Sequence, residues 1–152
     1  MRMQRAGRHA LGLLIVLSGG VACDEKLNSI TGPTPNLAPT FTSIQQNIFN
    51  ASDASGRLAC IQCHSDQGRT PSGNLVLLEG RAYQNIAGRQ STGMPGATIV
   101  IPGDPDNSYI VKKLEGAPDI AGVRMPRGNG PFLTPGQMLV IRRWIELGAP
   151  NN

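Results

Sequence analysis

The sequence predicts an all-α domain of short helices joined by long loops, and three observations predict it. Apolar residues recur at helical spacing in several short, capped stretches. Glycine (19) and proline (12) make up about a fifth of the 152 residues, while aromatic side chains are only 4%, so long loops surround a thin core. The third observation is Cys60-Ile61-Gln62-Cys63-His64, which places two thiols and an imidazole on a single turn.

In a helical turn, positions i, i+3 and i+4 are neighbours on one face, so Cys60, Cys63 and His64 project together. C-x-x-C-H is the attachment sequence of c-type haem. Cys60 and Cys63 would form thioethers with the two haem vinyl carbons, and His64 would come up beneath the iron as its proximal ligand. A thioredoxin-like redox pair needs a βαβ setting that neither flank shows. A structural zinc site usually needs four Cys or His ligands, more than the three residues of this turn supply. Zinc or a disulfide stays open as the alternative use of the turn. One covalent haem c is a large apolar body that would fill much of the thin core, so the haem-free chain is expected to fold poorly.

Residues 1–9 are positively charged, and residues 10–22 (ALGLLIVLSGGVA) form an apolar run ending in small residues, the layout of a secretory signal peptide. Thirteen residues are too few to span a bilayer of about 30 Å as a helix, and an uncleaved anchor stays open as the alternative to a removed leader. The run ends in Gly20-Val21-Ala22-Cys23, which resembles a bacterial lipoprotein cleavage box, with Gly20 where leucine is more usual. The resemblance implies removal of residues 1–22 and lipidation of Cys23, which also leaves no odd cysteine exposed. Ordinary cleavage leaving a free thiol is the alternative. The formal charge of +4 owes three units to Arg2, Arg5 and Arg8; without the leader, 11 basic side chains face 10 acidic ones. The basic balance therefore belongs to the targeting segment and gives no reason to expect a nucleic-acid partner. Residues 23–40 carry Pro33, Pro35 and Pro39 with no periodicity, and read as a lipid-anchored flexible linker.

Residues 41–150 form the expected haem domain. Phe41, Ile44 and Ile48 predict an amphipathic helix over residues 42–50 with Thr40 or Thr42 as N-cap. A polar break at residues 52–57 precedes the Cys60 turn; a polar, glycine-bearing loop at 65–74 and an apolar run at 75–78 follow it. Tyr83, Ile86 and Ala87 suggest a helix over 80–87, and residues 91–103 read as a loop with an extended piece at 99–101. Asp106 or Asn107 is expected to cap a helix bearing Ile110, Val111 and Leu114. Residues 116–131 return to glycine and proline. The last helix is the best marked: Thr134-Pro135-Gly136-Gln137 combines a capping box with proline at the first helical position, and Gly148 supplies the stop. Met138, Val140, Ile141, Trp144, Ile145 and Leu147 share one half of its surface, Arg142, Arg143 and Glu146 the other, and Leu139 is the exception. Trp144 is most simply a core residue, with an indole bond to a haem propionate as the alternative.

An iron held by His64 needs a sixth ligand or an open site. His9 leaves with the leader, so a second histidine from the same chain is excluded. Of the remaining methionines, Met138 lies on the core face of the last helix, which leaves Met94 and Met125. Both precede proline, which favours an extended backbone in a stiffened loop. Met125 lies nine residues before the last helix begins, where a loop can cross the distal haem face.

From Cys60 to Ala149 the chain resembles a class I cytochrome c domain, especially the kind found in planctomycete and related multi-domain cytochromes and lipoproteins. The resemblance rests on Cys60-Ile61-Gln62-Cys63-His64, the segment IPGDPDNSYIVKKL from Ile101, Met125-Pro126, and LTPGQMLVIRRWIELGAP from Leu133. It implies the class I fold and a distal methionine in the Met-Pro pair before the last helix, which matches Met125, with Met94, or an open or lysine-ligated site, as the alternatives. The family often has a second proline there, and Arg127 stands in its place. A backbone carbonyl near Pro71 is implied as acceptor of the proximal imidazole proton. It also implies export, since these cytochromes acquire haem on the outer side of an energy-transducing membrane.

The expected function is that of an exported monohaem electron carrier on the periplasmic side of a membrane, tethered by lipid and exchanging single electrons with redox protein partners there. His/Met ligation suits both iron oxidation states with little reorganisation. No triad, paired carboxylate site or phosphate loop accompanies the turn, so an enzyme is not expected. A haem enzyme or gas sensor with an open distal site is the alternative, and a structural lipoprotein with a metal or disulfide at residues 60–64 is the third.

Overall fold

A computed structural model describes residues 37–128 and 130–152. The leader, Cys23 and most of the linker lie outside the described residues. These are helical, with no strand among them; isolated bridges at Ala87 with Val100, Gln90 with Thr98, and Ile101 with Asp104 are the only extended pairings. The all-α class holds at that level.

Helix α1 spans Phe41–Ile44 and widens into a π-helical turn over Gln45–Phe49. The sequence predicted one regular helix to residue 50. The wider turn is held by the Asn50 N–H on the Gln45 carbonyl (2.9 Å) and by the Gln45 amide, which donates to Asn50 Oδ1 (2.7 Å) and the Leu77 carbonyl (2.9 Å). Thr40 is the N-cap, accepting from the Ser43 N–H. Leu37 already packs on the core, so the folded domain begins a few residues before Phe41. Two 3₁₀ turns follow, Cys60–Gln62 and Ser72–Asn74, then α2 at Ala82–Ile86 and α3 at Tyr109–Glu115.

The N-cap of α3 is Ser108, with neither Asp106 nor Asn107 in that role. Asn107 is instead bonded by its backbone and side chain to Asp104, while the buried Ser108 hydroxyl bonds the Asp104 carbonyl at 2.7 Å. That arrangement consumes the polar groups that would otherwise have capped the helix.

Helix α4, Pro135–Glu146, begins with the expected capping box between Thr134 and Gln137. Met138, Val140, Ile141, Trp144 and Ile145 are buried and Leu139 is exposed, as its period requires. Leu147 departs from expectation: the helix ends at Glu146, and Leu147 turns out to 53% exposure.

The scarce aromatic residues are concentrated. Phe41 meets Phe49, Tyr83 and Trp144 at centroid separations of 6.4, 5.2 and 5.5 Å, so four of the six aromatic rings share one cluster. Such a cluster contributes beyond simple area burial. The Trp144 indole donates to the Pro150 carbonyl at 2.8 Å, so its one donor has a partner within the protein. Asn152 accepts from the Phe41 and Thr42 N–H groups, satisfying donors that the first turn of α1 leaves without a helical partner.

Candidate functional site

The Cys60 turn is built from both sides. Its own backbone closes with Cys63 N–H and His64 N–H on the Cys60 carbonyl, at 3.2 and 2.9 Å. The loop beyond returns to it: Ser72 N–H bonds the Cys63 carbonyl (2.9 Å) and Leu77 N–H bonds the His64 carbonyl (2.8 Å). Residues eight and thirteen positions beyond His64 thus hold the turn.

The end of the first helix supplies the other side. Its last carbonyls lack helical partners, and the buried Arg57 takes up that of Ile48. Its guanidinium donates to the carbonyls of Ile48 (3.3 Å), Ala51 (3.0 Å) and Leu58 (3.2 Å) and pairs with Asp53 at 3.0 Å. The Ile48 carbonyl also faces the Cys60 thiol, with Sγ at 3.6 Å. Helix end, arginine and thiol therefore converge on one oxygen, and Arg57 fixes the approach to the turn.

The two thiols are free and differ in setting: Cys60 is half-buried and Cys63 exposed. Burial pushes the Cys60 thiol up, partly countered by the positive charge of Arg57. His64 is half-buried beside them. Burial holds its imidazole below the ordinary histidine range; the carbonyls of Ser72 and Leu75 act the other way, and the Lys113 ammonium lowers it further. The ring is therefore neutral at neutral pH, the state a metal requires.

His64 Nδ1 is buried and has no hydrogen-bond partner. The Ser72 and Leu75 carbonyls influence its protonation, but neither forms a hydrogen bond with it. A histidine that ligates through one nitrogen normally donates from the other to a nearby oxygen. With Nδ1 turned inward among carbonyls, Nε2 is the nitrogen left for iron. The free Nε2 and two unpaired thiols on the same turn fit a covalently attached haem, although Nδ1 lacks the oxygen acceptor that a ligating histidine normally has. Among the described residues, no group of three or more His, Cys, Asp or Glu side chains converges as a metal cluster.

Met125 is half-buried and packs against the core. Its N–H bonds the Lys113 carbonyl of α3 at 2.8 Å. Met94 is also half-buried, but its loop closes largely on itself, with Ala97 N–H on the Met94 carbonyl (3.1 Å) and Ser91 N–H on the Ala97 carbonyl (2.8 Å). Thr92 ties that loop to the Gly73 carbonyl at 2.6 Å, next to the segment flanking His64. Met138 is in the core, as expected. The two candidate methionines thus lie on differently anchored loops, one bound to α3 and the other to the loop beside His64. Cys23 lies outside the described residues.

No known family model, curated protein or solved structure matches the chain. The functional reading rests on the site alone.

Sequence reasoning missed Arg57 and Lys113. Nothing in the sequence marks Arg57 as buried, since a charge beside a polar break reads as surface; the Ile48, Ala51 and Leu58 carbonyls and Asp53 that receive it converge only in the fold. A separate cavity of about 180 Å³, lined by Phe41, Gln45, Glu79 and Tyr83 among others, includes no residue of the Cys60 turn.

Proposed function

We propose that the chain is an exported monohaem c-type cytochrome that carries single electrons between membrane-associated redox proteins. The observation that carries this reading is the Cys60 turn: two free thiols and an imidazole held toward its neutral form by burial, on five consecutive residues. Cys60 and Cys63 would hold the haem through thioethers, His64 would be its proximal ligand, and Met125 its distal one. When bound, the haem supplies reversible one-electron transfer.

The chain's own residues supply the setting. The Ser72 and Leu77 backbone bonds hold the turn, and burial keeps the His64 ring neutral. Helix α3 holds the loop that carries Met125. The helical, strand-free domain is compatible with a class I cytochrome c fold, and the loop before α4 is where that fold carries its distal methionine. Removal of residues 1–22 and lipidation at Cys23 would keep the domain on the periplasmic side of a membrane, with the linker allowing it to pivot between partners.

Protein from a host that matures c-type haem should give a pyridine haemochrome spectrum of c type, and its ferrous form should resist carbon monoxide. A colourless product removes the haem reading. Fast, stoichiometric carbon monoxide uptake at neutral pH replaces the carrier with an enzyme or sensor that has an open distal site.

A further inference from the structure

Helix α3 is short, and its final turn leaves carbonyls without helical donors. The Lys112 carbonyl is taken by Gly116 and Ala117 N–H, the Lys113 carbonyl by Met125 N–H (2.8 Å), and the Leu114 carbonyl by Arg124 Nε (2.7 Å). The segment that carries Met125 is therefore bonded along the end of this helix. Gly116 permits the close approach: a Cβ there would sit 2.9 Å from Arg124 Cδ.

Lys113 contributes a second attachment. Its ammonium, on a half-buried side chain, donates to the carbonyls of Ala121 (2.9 Å) and Val123 (2.5 Å). Among the described residues no carboxylate pairs with Lys113, whereas the neighbouring Lys112 pairs with Asp119 at 2.6 Å. One residue thus binds the loop twice, by its carbonyl at Met125 and by its side chain two and four residues earlier.

We propose that Lys113 is a positioning residue for Met125, clamping the loop 121–125 so that the thioether is presented to the distal side of the haem. This rests on the haem reading above. The clamp occupies the ammonium with two carbonyls, so it holds the methionine in place and does not itself take the ligand position. A charged donor bound to two carbonyls is worth much more than a neutral surface bond, and a glutamine cannot reproduce it.

The test compares Lys113→Gln, Lys113→Arg and Lys112→Gln in the full chain. In the ferric proteins, the near-infrared sulfur-to-iron band should fall to a small fraction in Lys113→Gln and persist in Lys113→Arg and Lys112→Gln. Ferrous Lys113→Gln should take up carbon monoxide at least about tenfold faster than Lys112→Gln. A band of wild-type strength in Lys113→Gln overturns the proposal. Hydrogen exchange at the Met125 amide reads the clamp independently of the haem, and should be about tenfold faster or more in Lys113→Gln than in Lys112→Gln. Equal exchange in the two variants overturns the clamp, whereas a colourless wild type whose Met125 amide still responds to Lys113 overturns the haem reading and leaves the clamp standing.

Discussion

Replacing Arg57 by methionine keeps most of the apolar stem and removes the guanidinium. The side chain is fully buried, and its head serves three carbonyls and one carboxylate at 3.0 to 3.3 Å. The Ile48 oxygen is on a buried residue and suffers most from losing a charged donor, at about 1.5–3 kcal/mol. Ala51 and Leu58 lie nearer to water and can rehydrate, so their oxygens add less. Asp53 is a quarter exposed, which discounts its share as well. The loss should total about 3–5 kcal/mol, a large fraction of a typical domain's stability. Arg57→Lys keeps the charge but loses the fork, and should fall between. Urea unfolding followed by circular dichroism measures both, with Arg81→Met as control, since the Arg81–Asp66 pair is solvent-exposed and its loss should leave the midpoint near wild type. If Arg57→Met unfolds within about 1 kcal/mol of wild type, the claim that this residue holds the approach to the turn is wrong.

Four further outcomes follow from the same geometry. Met125→Ala should abolish the near-infrared sulfur-to-iron band while Met94→Ala keeps it, and the opposite pattern would move the distal ligand to Met94. Gly116→Ala combines a left-handed φ of +77° with the Arg124 clash, and should cost about 1–2 kcal/mol by urea unfolding; an unchanged midpoint would contradict the close approach of loop and helix. Partial burial opposes ionisation of Asp53, but hydrogen bonds from Ser55 and Arg57 outweigh it and hold its carboxyl below the usual range. Its stabilisation is therefore complete above the unfolded-chain value, near pH 4, and lost as pH falls through the lower folded value; Asp53→Asn should flatten that acid limb, and an identical limb would rule the pairing out. The haem-free double variant Cys60→Ala, Cys63→Ala should melt without a cooperative transition, and a native-like melt would show that the protein core suffices alone.

The helices were legible where local signals agree with packing. Helix α4 has its capping box, proline and apolar half in consecutive residues, so sequence and structure coincide until Leu147, where the helix ends too soon to keep that side chain inside. Around Ser108 the sequence offered several plausible caps in a row, and only the fold of the loop shows that Asp104 claims Asn107. The π-helical turn depends on Gln45 reaching Leu77, thirty-two residues away, which no local pattern encodes. The Cys60 turn could be read because its chemistry lies in five adjacent residues. Arg57 and Lys113 could not, because Arg57 acts on the Ile48 carbonyl at a helix end and on two carbonyls beyond it, and Lys113 on the Ala121 and Val123 carbonyls of a loop whose course no local pattern encodes.

Intact mass spectrometry of the protein purified from a host that matures c-type haem decides whether the Cys60 turn carries haem. The expected product is a polypeptide heavier by one covalently bound haem, with the added mass on the peptide that contains Cys60 and Cys63. A polypeptide of the bare mass, with both thiols open to alkylation, would contradict it.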